Sequence, residues 1–212
     1  WINMKKKIIF LLSFFHLLFQ DNIIVDSFFK NYINLKSAKF SFRMLTTQNN
    51  EIKFQNNGEL IIKNDSYKIS TNDITYFLNN GLLYSIIKED SEIYIYDLAS
   101  DEISNNNLLI KSINIKKLIL YLKNNYAYTL TKNGDYKNEY SLYFSHDSNP
   151  DYEIVFMPNL DINSVRIINK NSTFNNVLFI ENLKTNIEIN SDKLKIDLDN
   201  YKDYFINRLW RF

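Results

Sequence analysis

The chain has 212 residues, of which 45% are apolar and 23% charged, with a formal net charge of +1. That length suits a leader plus one medium-sized domain, and that balance excludes a disordered chain, a multi-span membrane protein and a basic nucleic-acid binder. Cysteine is absent, which removes disulfides, thiolate metal sites, cysteine nucleophiles and lipid attachment at a cysteine behind a leader.

Trp1, Ile2 and Asn3 precede a plausible start at Met4. Lys5, Lys6 and Lys7 then lead into an apolar run from Ile8 to Phe19. As a helix that run would span roughly 18 Å, short of the ~30 Å hydrocarbon core. A basic start followed by a short apolar run reads as an export signal over residues 1–20, with a single domain over 21–212. No Ala-x-Ala precedes Asp21, so the residues do not mark the cut. Without the three leader lysines, +1 becomes −2. His16 lies in the leader, and His146 is the other of the two histidines, so no histidine-based metal or catalytic set is expected.

Asp21-Asn22 can cap a helix from Ile23 to about Leu35, with Ile24, Phe28, Tyr32 and Leu35 along one face. From Ala38 the period changes to two. Lys39-Phe40-Ser41-Phe42-Arg43-Met44 alternates strictly and sets Phe40, Phe42 and Met44 on one face. Ile52 begins a second strand that Asn57-Gly58 is expected to bend, and it continues through Glu59 to Lys63. Asn64-Asp65 turns into Ser66 to Ser70. Ile74 to Leu78 pairs with Leu82 to Ile87 across Asn79-Asn80-Gly81, residues suited to positive φ. Lys88 to Ser91 turns into Glu92 to Leu98, completing an antiparallel meander.

Ser112 to Asn124 interrupts the strands. Ser112 or Asn114 can cap it, and Ile115, Leu118, Ile119 and Leu122 share one face with Lys116, Lys117 and Lys123 toward solvent. Alternation resumes at Tyr126 to Lys132, with Gly134-Asp135 as a turn. Strands follow at Glu139 to Ser145, Tyr152 to Met157, Asp161 to Asn169 and Asn175 to Glu188, and a further one is expected at Lys193 to Leu198. Ten or eleven strands at this spacing, with two amphipathic helices, indicate a mainly β barrel or sandwich.

Chemistry is sparse. Glu89-Asp90, Asp101-Glu102 and Asp197/Asp199 sit in turn-like sequence without the spacing of a calcium loop, so they read as solvated turns. No phosphate loop, Gly-x-Ser-x-Gly or His-Glu-x-x-His occurs, and the chain is expected not to be an enzyme and to need no cofactor or metal. The informative feature is bulk, 16 Phe and 15 Tyr, much of it alternating along strands. A curled sheet with such an inner face can enclose a space that side chains do not fill, although an ordinary packed core is the simpler reading of the same residues.

The order of segments carries a resemblance. A leader and an amphipathic helix precede Phe40-Ser41-Phe42. Gly58-Glu59-Leu60-Ile61-Ile62-Lys63, Tyr67, Asn80-Gly81-Leu82-Leu83-Tyr84 and Ile93-Tyr94-Ile95 follow, and a mid-chain helix precedes Tyr126. Over roughly Asn22 to Ile206 this resembles the periplasmic outer-membrane lipoprotein carrier protein family (LolA). The resemblance implies an incomplete, unclosed antiparallel β-barrel of 10–11 strands lidded by amphipathic helices. It also implies a periplasmic monomer that shields lipoprotein acyl chains between inner and outer membranes. Its partners would be acylated lipoproteins, an inner-membrane lipoprotein-releasing transporter and an outer-membrane acceptor. Phe40, Phe42, Met44, Leu60, Ile62 and Tyr84 are then expected on the lipid-binding wall, and Ile115, Leu118, Ile119 and Leu122 on the lid. Two departures stand out. Asn64 occupies the place of an Arg associated with lid closure, and Tyr84 stands where Trp is common. A β-protein exported from the cytoplasm that binds another lipid, a glycolipid or a protein partner is the alternative. A small outer-membrane barrel fits worse, because a lysine-bearing helix interrupts the strands.

Overall fold

The computed structural model describes residues 23–49, 51–97, 114–133, 138–148, 150–170 and 172–209. The leader, the Asp21-Asn22 cap, Asp101-Glu102, Ser112 and Gly134-Asp135 fall outside these residues.

Twelve strands form one sheet in the order β12-β6-β5-β4-β3-β2-β1-β11-β10-β9-β8-β7. Three long strands make its centre: β1 (Ser37–Gln48), β2 (Glu51–Lys63) and β11 (Phe174–Thr185). On one side run β3 (Ser66–Thr71), β4 (Ile74–Asn79), β5 (Leu82–Ile87) and β6 (Glu92–Asp97). On the other run β10 (Ile162–Ile168), β9 (Asp151–Phe156), β8 (Glu139–Ser145) and β7 (Ala127–Asn133). All these pairings are antiparallel, and β12 (Phe205–Leu209) adds parallel to β6. Strands β12 and β7 do not pair with each other, so the sheet is an unclosed barrel. This is the architecture expected from the sequence, with one strand more than the upper count.

The turn chemistry follows the residues. Asn80 and Gly81 have φ of 51° and 78°, the two positive values that a tight hairpin between twisted strands requires. Gly58 does not bend β2, which runs through it without interruption. It is small for a packing reason. A Cβ there would lie 2.5 Å from the Ser70 carbonyl oxygen and 2.6 Å from the Phe42 ring.

Helix α1 (residues 23–33) and helix α2 (Ile115–Asn125) cover the same face of the sheet. Asn114 caps α2, its side chain accepting the Lys117 N–H at 3.2 Å, so the cap is Asn114 of the two expected candidates. The main core joins both helices to inward residues along the sheet, among them Leu60, Ile69, Leu83, Leu142, Ile154 and Val165.

The other face differs between the two flanks. On β4–β6 it is apolar: Phe77, Ile86, Ile93 and Ile95 are buried with Tyr84 against Ile196, Leu198, Tyr201 and Tyr204. Ile61 is buried there too, against Ile189 and Leu194. A carboxy-terminal strap from Ile187 to Tyr204 therefore lies across this face before β12 joins the edge. The strand expected at Lys193 to Leu198 is absent. Its place is taken by 3₁₀ turns at Ser191–Leu194 and Leu198–Tyr201, each opened by an Asn or Asp side chain that accepts a backbone N–H. On β8–β10 the same side is polar. Glu153 accepts from Ser141 and Arg166, and Asp151 from Tyr143 and Lys170.

Candidate functional site: the helix-covered concave face

Strict alternation in β1 and β2 delivers Phe40, Phe42, Leu60 and Ile62 to the concave face, each at most 4% exposed. Met44 lies farther along β1 on the same face, half-buried against the core. Tyr84 does not join them. In β5, Leu83 and Ser85 point inward, and Tyr84 pairs with Phe77 on the strap-covered face. The correction has a simple cause. Both faces of β5 are covered, so alternation there separates two apolar sets and cannot say which one faces the helices.

The lid residues fall together. Ile115, Leu118, Ile119 and Leu122 are at most 5% exposed and pack on the concave core. The rings of α1 pack in the same core. Phe28 stands 4.5 Å from Phe156 and 5.0 Å from Tyr32, and Phe29 is 5.2 Å from Tyr128.

Helix α1 is latched to the sheet by polar bonds as well. The Tyr32 hydroxyl donates to the Leu160 carbonyl at 2.8 Å and accepts the Ile162 N–H at 3.0 Å. Burial pushes the Tyr32 phenol well above its ordinary value, so it serves as a neutral hydrogen-bonding group. Helix α2 has no comparable latch among the described residues. Its polar side-chain ties are the Lys116 ammonium donating at 3.3 Å to the carbonyl of Leu35, just beyond α1, and the Lys123 ammonium 5.0 Å over the Phe29 ring of α1.

One polar atom of the concave wall was not singled out in the sequence. The Tyr67 hydroxyl is buried with no hydrogen-bond partner among the described residues. Burial, together with the neighbouring Tyr76, pushes its phenol up to about 12. An orphaned hydroxyl costs roughly 1–3 kcal/mol. Strand alternation placed Tyr67 in β3 but could not show that its hydroxyl lacks a partner.

At the end where α1 hands over to β1 lies a groove of about 630 Å³ of mixed character, lined by Asn34, Lys36, Lys63, Asn64, Ile187 and Ile189 among others. Asn64, at φ 54°, donates its N–H to the Lys36 carbonyl at 2.8 Å. It thus forms the rim of this groove with its backbone.

Among the described residues, no group of three or more His, Asp or Glu is placed to hold a metal ion. No described helix is long and apolar enough to cross a membrane. What the arrangement can do is offer a large apolar surface under a cover that one helix closes without polar bonds from its buried side.

No family model matches the chain, and no curated protein matches it in sequence. The fold is shared with an uncharacterized conserved protein from Thermus thermophilus, with a TM-score of 0.56 at 7% identity over 89% of this chain and 98% of that one. Such a likeness concerns the fold alone. Two others are similar at lower scores. The LolA superfamily protein NE2245 from Nitrosomonas europaea gives a TM-score of 0.43 at 9% identity, over 81% of this chain and 97% of that one. A putative outer membrane lipoprotein-sorting protein domain from Vibrio parahaemolyticus gives 0.44 at 7% identity, over 83% and 96%. Scores below 0.5 carry no functional conclusion.

Proposed function

We propose that this protein is a periplasmic carrier that shields the acyl chains of lipoproteins in transit from the inner to the outer membrane. The observation that carries the reading is the asymmetry of the concave face. It is predominantly apolar, anchored by α1, and covered by α2 through an aliphatic stripe. The resemblance of the segment order to the LolA family supports it. In this reading residues 1–20 direct export, residues 21–212 act as a monomer, and an inner-membrane transporter loads the cargo for an outer-membrane acceptor.

Magnitudes permit the exchange. Lifting Ile115, Leu118, Ile119 and Leu122 off the wall exposes four aliphatic side chains, at most roughly 6–12 kcal/mol. One acyl chain of about 15 methylenes at ~0.8 kcal/mol each offsets on the order of 12 kcal/mol. A second chain tips the balance toward an open, loaded state. The Tyr67 hydroxyl supplies a donor for the ester or amide carbonyl that every such cargo carries.

The test is to purify the protein from membrane-free extract and identify co-purifying molecules by mass spectrometry. Acylated lipoprotein is the expected finding, and its loss in Leu118→Glu the expected control. Recovery of a glycolipid or an unacylated partner would favour the alternative reading instead, and an empty protein under loading conditions would sink the carrier.

A further inference from the structure

The outward side of α2 and the adjoining edge strand β7 differ in charge from the rest of the chain. From Asn114 to Asn133 there are four lysines (Lys116, Lys117, Lys123 and Lys132) and no acidic residue, whereas the chain as a whole balances 25 basic against 24 acidic residues. No salt bridge among the described residues engages any of the four.

Large apolar side chains stand among these charges. Leu120 is 41% exposed, Tyr121 47% and Tyr128 42%. Helical spacing puts Leu120 and Tyr121 three and four residues beyond Lys117, flanking it on the solvent side. Lys123 and Tyr128 meet over one ring: the ammonium is 5.0 Å from the Phe29 centroid and the Tyr128 ring 5.2 Å from it. The helix and the edge strand thus each bring an exposed residue to the same ring.

We propose that this face docks on a lipid bilayer bearing anionic headgroups. Charge complementarity calls for an anionic partner: Lys117, Lys123 and Lys132 are exposed, Lys116 is half-exposed, and none of the four has an acidic partner among the described residues, although Lys116 and Lys123 also touch the Leu35 carbonyl and the Phe29 ring. The interleaved Leu120, Tyr121 and Tyr128 choose a bilayer over an acidic protein. Lysine stems let the ammonium groups reach phosphates while neighbouring apolar side chains enter the acyl boundary, and tyrosine suits that depth. The docking helix is also the element that closes the concave face, so arrival at a membrane acts directly on the lid. The proposal does not depend on the carrier reading, since a bilayer could be bound by this face whatever the interior holds.

The experiment measures co-sedimentation of the purified full chain with vesicles of phosphatidylcholine alone or with about one-third phosphatidylglycerol, at low and raised salt. Binding to the anionic vesicles that falls with salt is expected. Lys116→Glu, Lys117→Glu and Lys123→Glu together should lower the partition coefficient at least about a hundredfold. Leu120→Ser with Tyr121→Ser, both exposed, should lower it about tenfold. Lys184→Glu, Lys193→Glu and Lys202→Glu, an equal charge change elsewhere, should leave it within about threefold. The leader contributes equally to all variants. Equal loss in that control, full binding by the α2 variants, or no preference for anionic vesicles would overturn the proposal. So would a dimer dissociated by the Leu120/Tyr121 change, which would make a second copy the occupant. Circular dichroism checks each fold, and if the triple lysine variant unfolds, the serine pair decides. A chain that carries acyl cargo yet ignores vesicles would keep the carrier and discard this docking site.

Discussion

Helices α1 and α2 cover the same wall, yet they are held in different ways. Both bury aliphatic or aromatic faces in one core. Helix α1 adds a two-way hydrogen bond from Tyr32 to backbone some 130 residues away, and rings that touch Phe144, Phe156 and Tyr128. Helix α2 is attached by its apolar stripe, one lysine–carbonyl bond and one lysine over a ring. The difference teaches that burial alone does not make an element permanent. A helix held mainly by an apolar stripe can exchange that contact for another apolar surface, whereas one that satisfies a buried backbone N–H cannot leave without orphaning it.

The largest effect should come from breaking α1. Phe28 is fully buried among three rings, and Phe28→Ala should lower global stability by about 3–5 kcal/mol in a denaturant titration. On α2, Leu118→Glu should act locally. Amide exchange of residues 115–125 should accelerate by tenfold or more, roughly 1.4 kcal/mol, while amides of β2 and β10 keep their protection. Loss of protection in the strands alongside the helix would mean that α2 is framework like α1, and the comparison would collapse.

Tyr32→Phe sharpens it by removing the latch and leaving the ring. About 1–3 kcal/mol of stability should be lost, since the Ile162 N–H is then buried and unpaired. Tyr67→Phe runs the opposite way. It deletes an unpartnered hydroxyl, so the melting temperature should hold or rise, while affinity for an acyl ester should fall.

The smallest effect concerns pH at the far end of α2. Tyr126, which follows the helix, packs on His146 and Tyr152 beside Asp151. Burial alone would raise the Asp151 carboxyl, but hydrogen bonds from Tyr143, Lys170 and the His146 N–H outweigh it and hold it below its ordinary 3.8. A lowered carboxylate stabilises the fold above its unfolded value, and that contribution disappears as pH falls through the lower, folded value. Stability should therefore drop slightly on acidification below about pH 4, less so in Asp151→Asn. A melting profile that is equally steep in both would assign the acid sensitivity elsewhere.

Where one face of an element is solvated, the sequence was readable. Phe40 and Phe42 alternate with Lys39, Ser41 and Arg43, and both went to the concave wall as expected. The buried stripe of α2 (Ile115, Leu118, Ile119 and Leu122) was readable for the same reason, set off by three lysines. Tyr84 was not, because Leu83 and Ile86 are both apolar and period two is silent about which face is which. Strand β12 was missed altogether. It is a short edge strand whose partner, β6, lies more than 100 residues earlier, and nothing local encodes a parallel pairing at that distance. The strap resembled a strand at Lys193 to Leu198 because alternate apolar residues meet the sheet there, although the backbone turns.

That strap also sets a timetable. A chain emerging amino end first completes β3 to β6 while the residues that will cover Phe77, Ile86, Ile93 and Ile95 are still about 100 positions behind. Until residues 187–204 arrive, a flank of the sheet stands greasy on both sides and open along β6. The last stretch of the polypeptide is thus its molecular clasp. Cleavage behind Thr185 should leave eleven of the twelve strands yet bare that apolar flank, and light scattering should register the resulting self-association.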